Sequence, residues 1–262
     1  MILKLIENIG DKTINSTSSL FSILRFTFIT LVHLLNPSSY NPAMKMVLIK
    51  QIYHTSVTIL PLFMMLAIFF GSAIIGVVIV IAREYNLQYE IGSIIVTFIL
   101  DEFSPFFTAM LIALRSGTTI NTEIAVMNVN NELKSLKEYK IDIIDYLVLP
   151  RIISGVLSTL SLSVLFALIM LVSGYIFTLF YMRMDLHTYQ YLILNAITIQ
   201  DITTLLLKST IFGFVIMLVP LYSGLNSVHT NIDIPKSILN GMVKLFITIF
   251  FIEVVSLIIQ SI

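Results

Sequence analysis

Two adjacent carboxylates, Asp101 and Glu102, stand in the middle of an otherwise apolar stretch, residues 91–114, and Ser104 and Pro105 follow them directly. If that stretch crosses a bilayer, each ionised acid there costs roughly 3 kcal/mol even on lenient insertion scales, so both must face a cavity or the bundle interior. Pro105 has no N–H, so it frees a carbonyl one turn earlier and kinks the helix. Two readings fit. Asp101, Glu102 and Pro105 line a polar substrate cavity, or the acids are a structural pair that serves the proline break. Glu253 is a further acid in an apolar run, residues 238–259. It is read as part of the same cavity or as a hydrogen-bonded helix contact. Other chemistry finds no support. The chain has no cysteine, and His33, His54, His187 and His229 form no HExxH pair, so no metal site is expected. Gly71 and Gly76 have the glycine spacing of a phosphate loop, but Val77 follows where lysine is required. No catalytic residue and no bound cofactor are expected. If ATP drives this protein, the ATPase is a separate polypeptide.

The elements that must position these residues follow from composition. Of 262 residues, 57% are hydrophobic and only 11% charged, against roughly a quarter charged in soluble domains. The mean hydropathy is +0.97. That leaves too little polar surface to cover a globule in water, and the zero net charge offers no basic face to nucleic acid. A spanning helix needs about 20 apolar residues. Five stretches qualify: residues 54–82, 91–114, 152–182, 209–224 and 238–259. Residues 20–35 hold Arg25, follow a polar run at 13–19, and read as an amphipathic helix lying in the interface, with a sixth span as the alternative. Residues 189–199 are too short to span and are expected to cap the third and fourth spans outside. Gly71, Ser72 and Gly76 are expected to let helices approach closely. The start of the chain lacks a small-residue cleavage site after an apolar run, so it is expected to be retained.

Basic residues set the orientation. Lys4, Lys12, Arg25, Lys45 and Lys50 precede the first span, and only Arg83 follows it. Arg115, Lys134, Lys137, Lys140 and Arg151 lie between spans two and three, Arg183 and Lys208 before span four, and Lys236 and Lys244 before or early in span five. This rich–poor–rich pattern predicts a cytoplasmic N-terminus, a cytoplasmic loop from Arg115 to Arg151, and a C-terminus outside. The cytoplasmic loop reads as one helix over residues 122–139, with Val129, Leu133 and Leu136 on one face and Lys134, Lys137 and Glu138 elsewhere. Such a stripe must be covered, either by a partner or by the protein's own span ends.

At this loop the chain resembles the MlaE-type permease family. The resemblance is carried by Glu102 to Pro105, Leu114-Arg115-Ser116-Gly117, Thr122-Glu123-Ile124, Met127, Glu132-Leu133, Leu136, Asp142, and Tyr146 to Arg151, in the family's order and spacing. Gln51 to Tyr53 and Glu253 extend it across most of the chain, read as one domain with residues 1–50 as an interfacial region and 51–262 as the transmembrane core. Ser104, Leu114 and Ile143 depart from the family pattern, and Asp101 stands where arginine is frequent. The resemblance implies an all-α, five-span homodimer in the bacterial inner membrane. It implies an ABC ATPase on the cytoplasmic side, a STAS-type regulator, a periplasmic MCE-domain protein, and phospholipid as cargo, with no hydrolysis by the permease itself. Glu123, Met127, Glu132, Leu133 and Leu136 would then couple to the ATPase. The competing reading is a secondary carrier or channel in which Asp101, Glu102 and Glu253 bind protons or cations.

Overall fold

The computed structural model describes residues 21–40, 42–85, 90–182, 184–226 and 234–260. The expectations for the polar run 13–19, Lys4, Lys12, Arg183 and His229 lie outside them. The chain is a multi-pass membrane protein. Five helices are long and apolar enough to cross a bilayer: α2 (Met44–Ala82), α3 (Ile91–Val129), α5 (Ile144–Phe180), α7 (Ile199–Asn226) and α8 (Ile234–Gln260). Three shorter helices join them: α1 (Phe21–Leu35), α4 (Glu132–Glu138) and α6 (Leu186–Ala196). No strand occurs among the described residues.

The helices outrun the apolar stretches that reveal them. α2 begins ten residues before His54, α3 continues fifteen past Leu114, and α7 starts ten before Ser209. Hydropathy marks only the length that lipid touches. The backbone must stay hydrogen-bonded throughout, so the helix continues through polar positions that other helices cover. One consequence is a correction: Lys208, counted above as a loop cation, lies inside α7 and is buried. Lys244 likewise sits ten residues into α8, on an exposed face.

Three helices change pitch around a residue whose carbonyl a proline cannot serve, and α3 has a further π-helical stretch at Ala113–Gly117 with no proline near it. A 3-10 turn at Val57–Ile59 precedes Pro61. π-Helical stretches at Thr97–Phe103 and Ile144–Val148 precede Pro105 and Pro150. In an α-helix each proline would orphan the carbonyl four residues back, at 57, 101 and 146, and each of those positions falls within its irregular stretch.

α5 is the spine. α2 packs along one side of it and α7 along another, and α7 in turn holds α3 and α8. Close approach is permitted where a side chain is missing: a Cβ on Gly213 would meet the Val156 backbone at 2.7 Å and the Gly155 carbonyl at 2.8 Å. Hydroxyls tie the same crossings, Ser163 to Ser209 at 2.6 Å and Ser56 to Ser158 at 2.6 Å. Gly71 has the expected role, its missing Cβ making room for the Met170 backbone. The Ser72 hydroxyl returns to the Ile68 and Phe69 carbonyls of its own helix. Phe63, Phe70, Phe103, Phe107 and Phe166 form a ring cluster between α2, α3 and α5.

Lys45, Lys50, Arg115, Lys134, Lys137, Lys140, Arg151 and Lys236 gather at one end of the bundle, called here the basic end. α1 lies across that end. Near its start Ser22 bonds Tyr222 of α7 at 2.5 Å, and eleven residues later His33 pairs with Asp145 of α5 at 2.7 Å. Both partners belong to the basic end, so α1 cannot run parallel to the spans. Phe21, Leu24, Phe28 and Leu35 are left exposed, as an interfacial helix requires. At the opposite end α6 packs on the start of α3. Tyr189 anchors it by donating to the Leu171 carbonyl at 2.8 Å, and burial pushes the phenol's pKa up, so it remains a donor.

Candidate functional site

α3, α7 and α8 bring Glu102, Lys208 and Glu253 together inside the bundle. The Lys208 ammonium donates to Glu102 Oε2 at 2.6 Å and to Glu253 Oε1 at 3.1 Å. Its third bond goes to the backbone carbonyl of Asp101 at 2.8 Å. That is the carbonyl which Pro105, four residues on, has no N–H to serve. The proline break and the lysine are therefore one unit: Pro105 opens an acceptor and Lys208 fills it. Ser104 adds a bond from its hydroxyl to the Ser163 carbonyl of α5.

The Lys208 side chain is 3% exposed, against 18% for Glu102 and 13% for Glu253. Glu102 lies about 16 Å from the Ile91 end of α3 at 1.5 Å per residue, near the middle of a hydrocarbon layer about 30 Å thick. Asp101 points the other way round the helix, toward Asp201. Asp201 is itself held at the start of α7 by a reciprocal capping pair. Thr198 N–H donates to Asp201 Oδ2 at 2.7 Å, and Asp201 N–H donates to Thr198 Oγ1 at 3.3 Å. Asp101 Oδ1, Glu102 Oε1 and Glu253 Oε2 remain buried without a donor from this chain.

Of the residues singled out in the sequence as a substrate cavity, Glu102 and Glu253 meet on one cation, and Asp101 contributes its backbone carbonyl to the same cation. Sequence reasoning missed Lys208 and Asp201. The readable signal was charge balance: two acids at bilayer depth require a cation, and Lys208, flanked by Leu205 to Leu207, borders the apolar run 209–224.

The predicted helix over residues 122–139 is two helices. α3 ends at Val129, and the chain turns at Asn130 and Asn131, where Asn131 has φ 60°. Asparagine tolerates that left-handed conformation better than most residues. α4 then runs from Glu132 to Glu138 and closes at Lys140 (φ 59°), where Ile141 N–H returns to the Leu136 carbonyl at 3.0 Å. Val129 therefore does not share a face with Leu133. Leu133 is buried, and Leu136 and Met127 pack against the same core. Their apolar stripe is covered by the protein's own span ends, which corrects the expectation of Leu133 and Leu136 as free anchors for a partner. What α4 exposes is polar: Glu132, Lys134, Ser135, Lys137 and Glu138. Glu123 is tied to Arg151 at 2.9 Å, and Arg151 also donates to the Leu147 carbonyl at 3.2 Å. That pair links the end of α3 to the start of α5.

One group of metal-type ligands converges among the described residues, His33, Asp142 and Asp145, within 4.8 Å of one another. Each already has work in the fold. His33 pairs with Asp145, and Asp142 accepts from Ile144 N–H at 2.8 Å at the start of α5.

Comparison with known proteins agrees with this architecture. A probable ABC transporter permease protein of Rickettsia prowazekii is 26% identical over 226 residues, covering 86% of this chain and 85% of its own. The intermembrane phospholipid transport system permease protein MlaE of Haemophilus influenzae is 24% identical over 191 residues, covering 72% and 73%. A probable ABC transporter permease protein of Synechocystis is 27% identical over 180 residues, covering 66% and 68%. Residues 48–259, which include all five spans but for the first few residues of α2 and the last of α8, match the family described as Permease MlaE, and the chain belongs to that family.

Proposed function

We propose that this chain is the permease subunit of an ATP-driven phospholipid transporter of the bacterial inner membrane. The observation that carries the proposal is the family match over residues 48–259, together with a relative named for intermembrane phospholipid transport. In this reading the chain works as a homodimer with the basic end in the cytoplasm and the C-terminus in the periplasm. An ABC ATPase, which binds the ATP, meets the exposed polar face of α4, and a STAS-type regulator accompanies it. An MCE-domain protein receives or delivers lipid at the opposite end. The permease hydrolyses nothing.

Glu102 and Glu253 around Lys208, with the Asp101 carboxyl next to them on the Asp201 side, form the polar part of the cargo path. Its three unserved carboxylate oxygens suit the amine or hydroxyls of a lipid headgroup better than its phosphate, because like charges repel. The carrier reading, in which Asp101, Glu102 and Glu253 bind protons or cations, is weaker because relatives over most of the chain are named as ABC transporter permeases. The test is reconstitution with the ATPase subunit and measurement of labelled-lipid transfer. Transfer should require ATP and stop when the ATPase loses its catalytic glutamate. Transfer driven by a proton or sodium gradient without ATP would overturn the proposal.

A further inference from the structure

A second polar site lies at the basic end, away from the ion cluster. α2, α3 and α5 enclose a cavity of about 520 Å³ lined by Lys50, His54, Arg115, Thr119, Glu123 and Arg151, among others. Lys50, Arg115 and Arg151 against Glu123 give its lysine, arginines and glutamate a net charge of +2. Glu123 is already committed to Arg151. Arg115 uses one N–H on the Thr58 carbonyl at 2.7 Å, which fixes its guanidinium at the wall of the cavity. Arg151 Nε is buried without a partner. The pocket therefore carries donors and positive charge beyond what its own acid takes up.

Its depth identifies the ligand. Arg115 lies about 36 Å from the Ile91 end of α3 at 1.5 Å per residue. The hydrocarbon is about 30 Å thick, so the cavity opens at the level of the headgroups. Tyr53, Val57 and Leu114 are exposed beside it and present an apolar surface on the membrane side. A ligand that fits both features carries a phosphate and an acyl chain. We propose that this pocket binds the phosphate of an anionic phospholipid in the leaflet at the basic end. The site is separate from the cargo path proposed above and stands whether or not that reading holds. Lys50 and Arg115 supply the attraction, and the fork of Arg115 matches phosphate oxygens.

The chain has no tryptophan, so a single reporter can be introduced. The full chain bearing Val57→Trp is placed in phosphatidylcholine vesicles that contain brominated phosphatidylglycerol or brominated phosphatidylcholine, and quenching is read against lipid fraction. Phosphatidylglycerol should win by roughly fivefold, the scale of one basic side chain at an anionic surface. Lys50→Ala should remove most of that preference, and Lys50→Arg should keep it. A reporter at Val80→Trp, near the opposite end, should show no preference. Equal quenching by the two lipids at Val57→Trp, or the same preference at both reporters, would overturn the proposal, as would a preference unmoved by Lys50→Ala. Loss of the preference in excess inorganic phosphate would assign the pocket to a soluble anion and overturn the lipid assignment.

Discussion

Replacing Lys208 by methionine is the sharpest perturbation of this structure. The side chain is 3% exposed and makes two ion pairs, at 2.6 and 3.1 Å, and one bond to a carbonyl at 2.8 Å. Removing one partner of a buried pair costs about 3–5 kcal/mol, because the charge left behind has no solvent. An orphaned buried carbonyl adds roughly 1–3 kcal/mol, and the methionine side chain returns roughly 1–2 kcal/mol of apolar burial. The net expectation is a loss of about 3–5 kcal/mol. Neutralising the acids as well, in Lys208→Met with Glu102→Gln and Glu253→Gln, should recover most of it, leaving a deficit of roughly 1–2 kcal/mol, since replacing a whole buried ion cluster is far cheaper than breaking it. Glu102→Gln alone should cost less than Lys208→Met, because Glu253 still holds the ammonium. The assay is unfolding in mixed micelles of increasing SDS fraction, followed by circular dichroism. The reasoning fails if Lys208→Met unfolds within about 0.5 kcal/mol of the parent, the range of an ordinary surface change. It also fails if the triple variant is less stable than Lys208→Met.

Three further outcomes are expected. Leu133→Ala should loosen α4 by roughly 2–5 kcal/mol, read as faster trypsin cleavage at Lys134, Lys137 and Lys140 with the spans intact; unchanged cleavage would mean that α4 is held by something else. Gly213→Ala should lower stability by roughly 1–3 kcal/mol, because the added methyl meets not only the Thr159 hydroxyl but also backbone at Val156 and Gly155, which cannot swing aside. In this cysteine-free chain, a single cysteine at Gln260 should react with an impermeant reagent only from the periplasm and one at Lys137 only from the cytoplasm; the reverse pattern would invert the orientation.

The number of spans, the helical class and the basic end were legible in the sequence, because each is a local property. An apolar stretch of sufficient length must be helical in lipid, and the lysines and arginines gather where the loops do. Asp101 and Glu102 announced themselves by the cost of acids at that depth, and Pro105 by its missing N–H. The break in the loop helix was also present, in Asn130 and Asn131 beside an otherwise helical pattern, but periodicity alone ran the helix through them. What only the tertiary structure decided is who answers whom. Lys208 is more than a hundred residues from Glu102 and forty-five from Glu253, and its hydropathy is that of a loop residue. It becomes a buried partner because Gly155 and Gly213 let α5 and α7 close together and α7 carries it against α3 and α8. The apolar stripe of α4 was equally visible in the sequence, but whether a partner or the chain's own spans would cover it depended on the direction in which the turn at Asn131 sends the backbone. A stripe fixes only that something must cover it; the fold turned it inward onto the core.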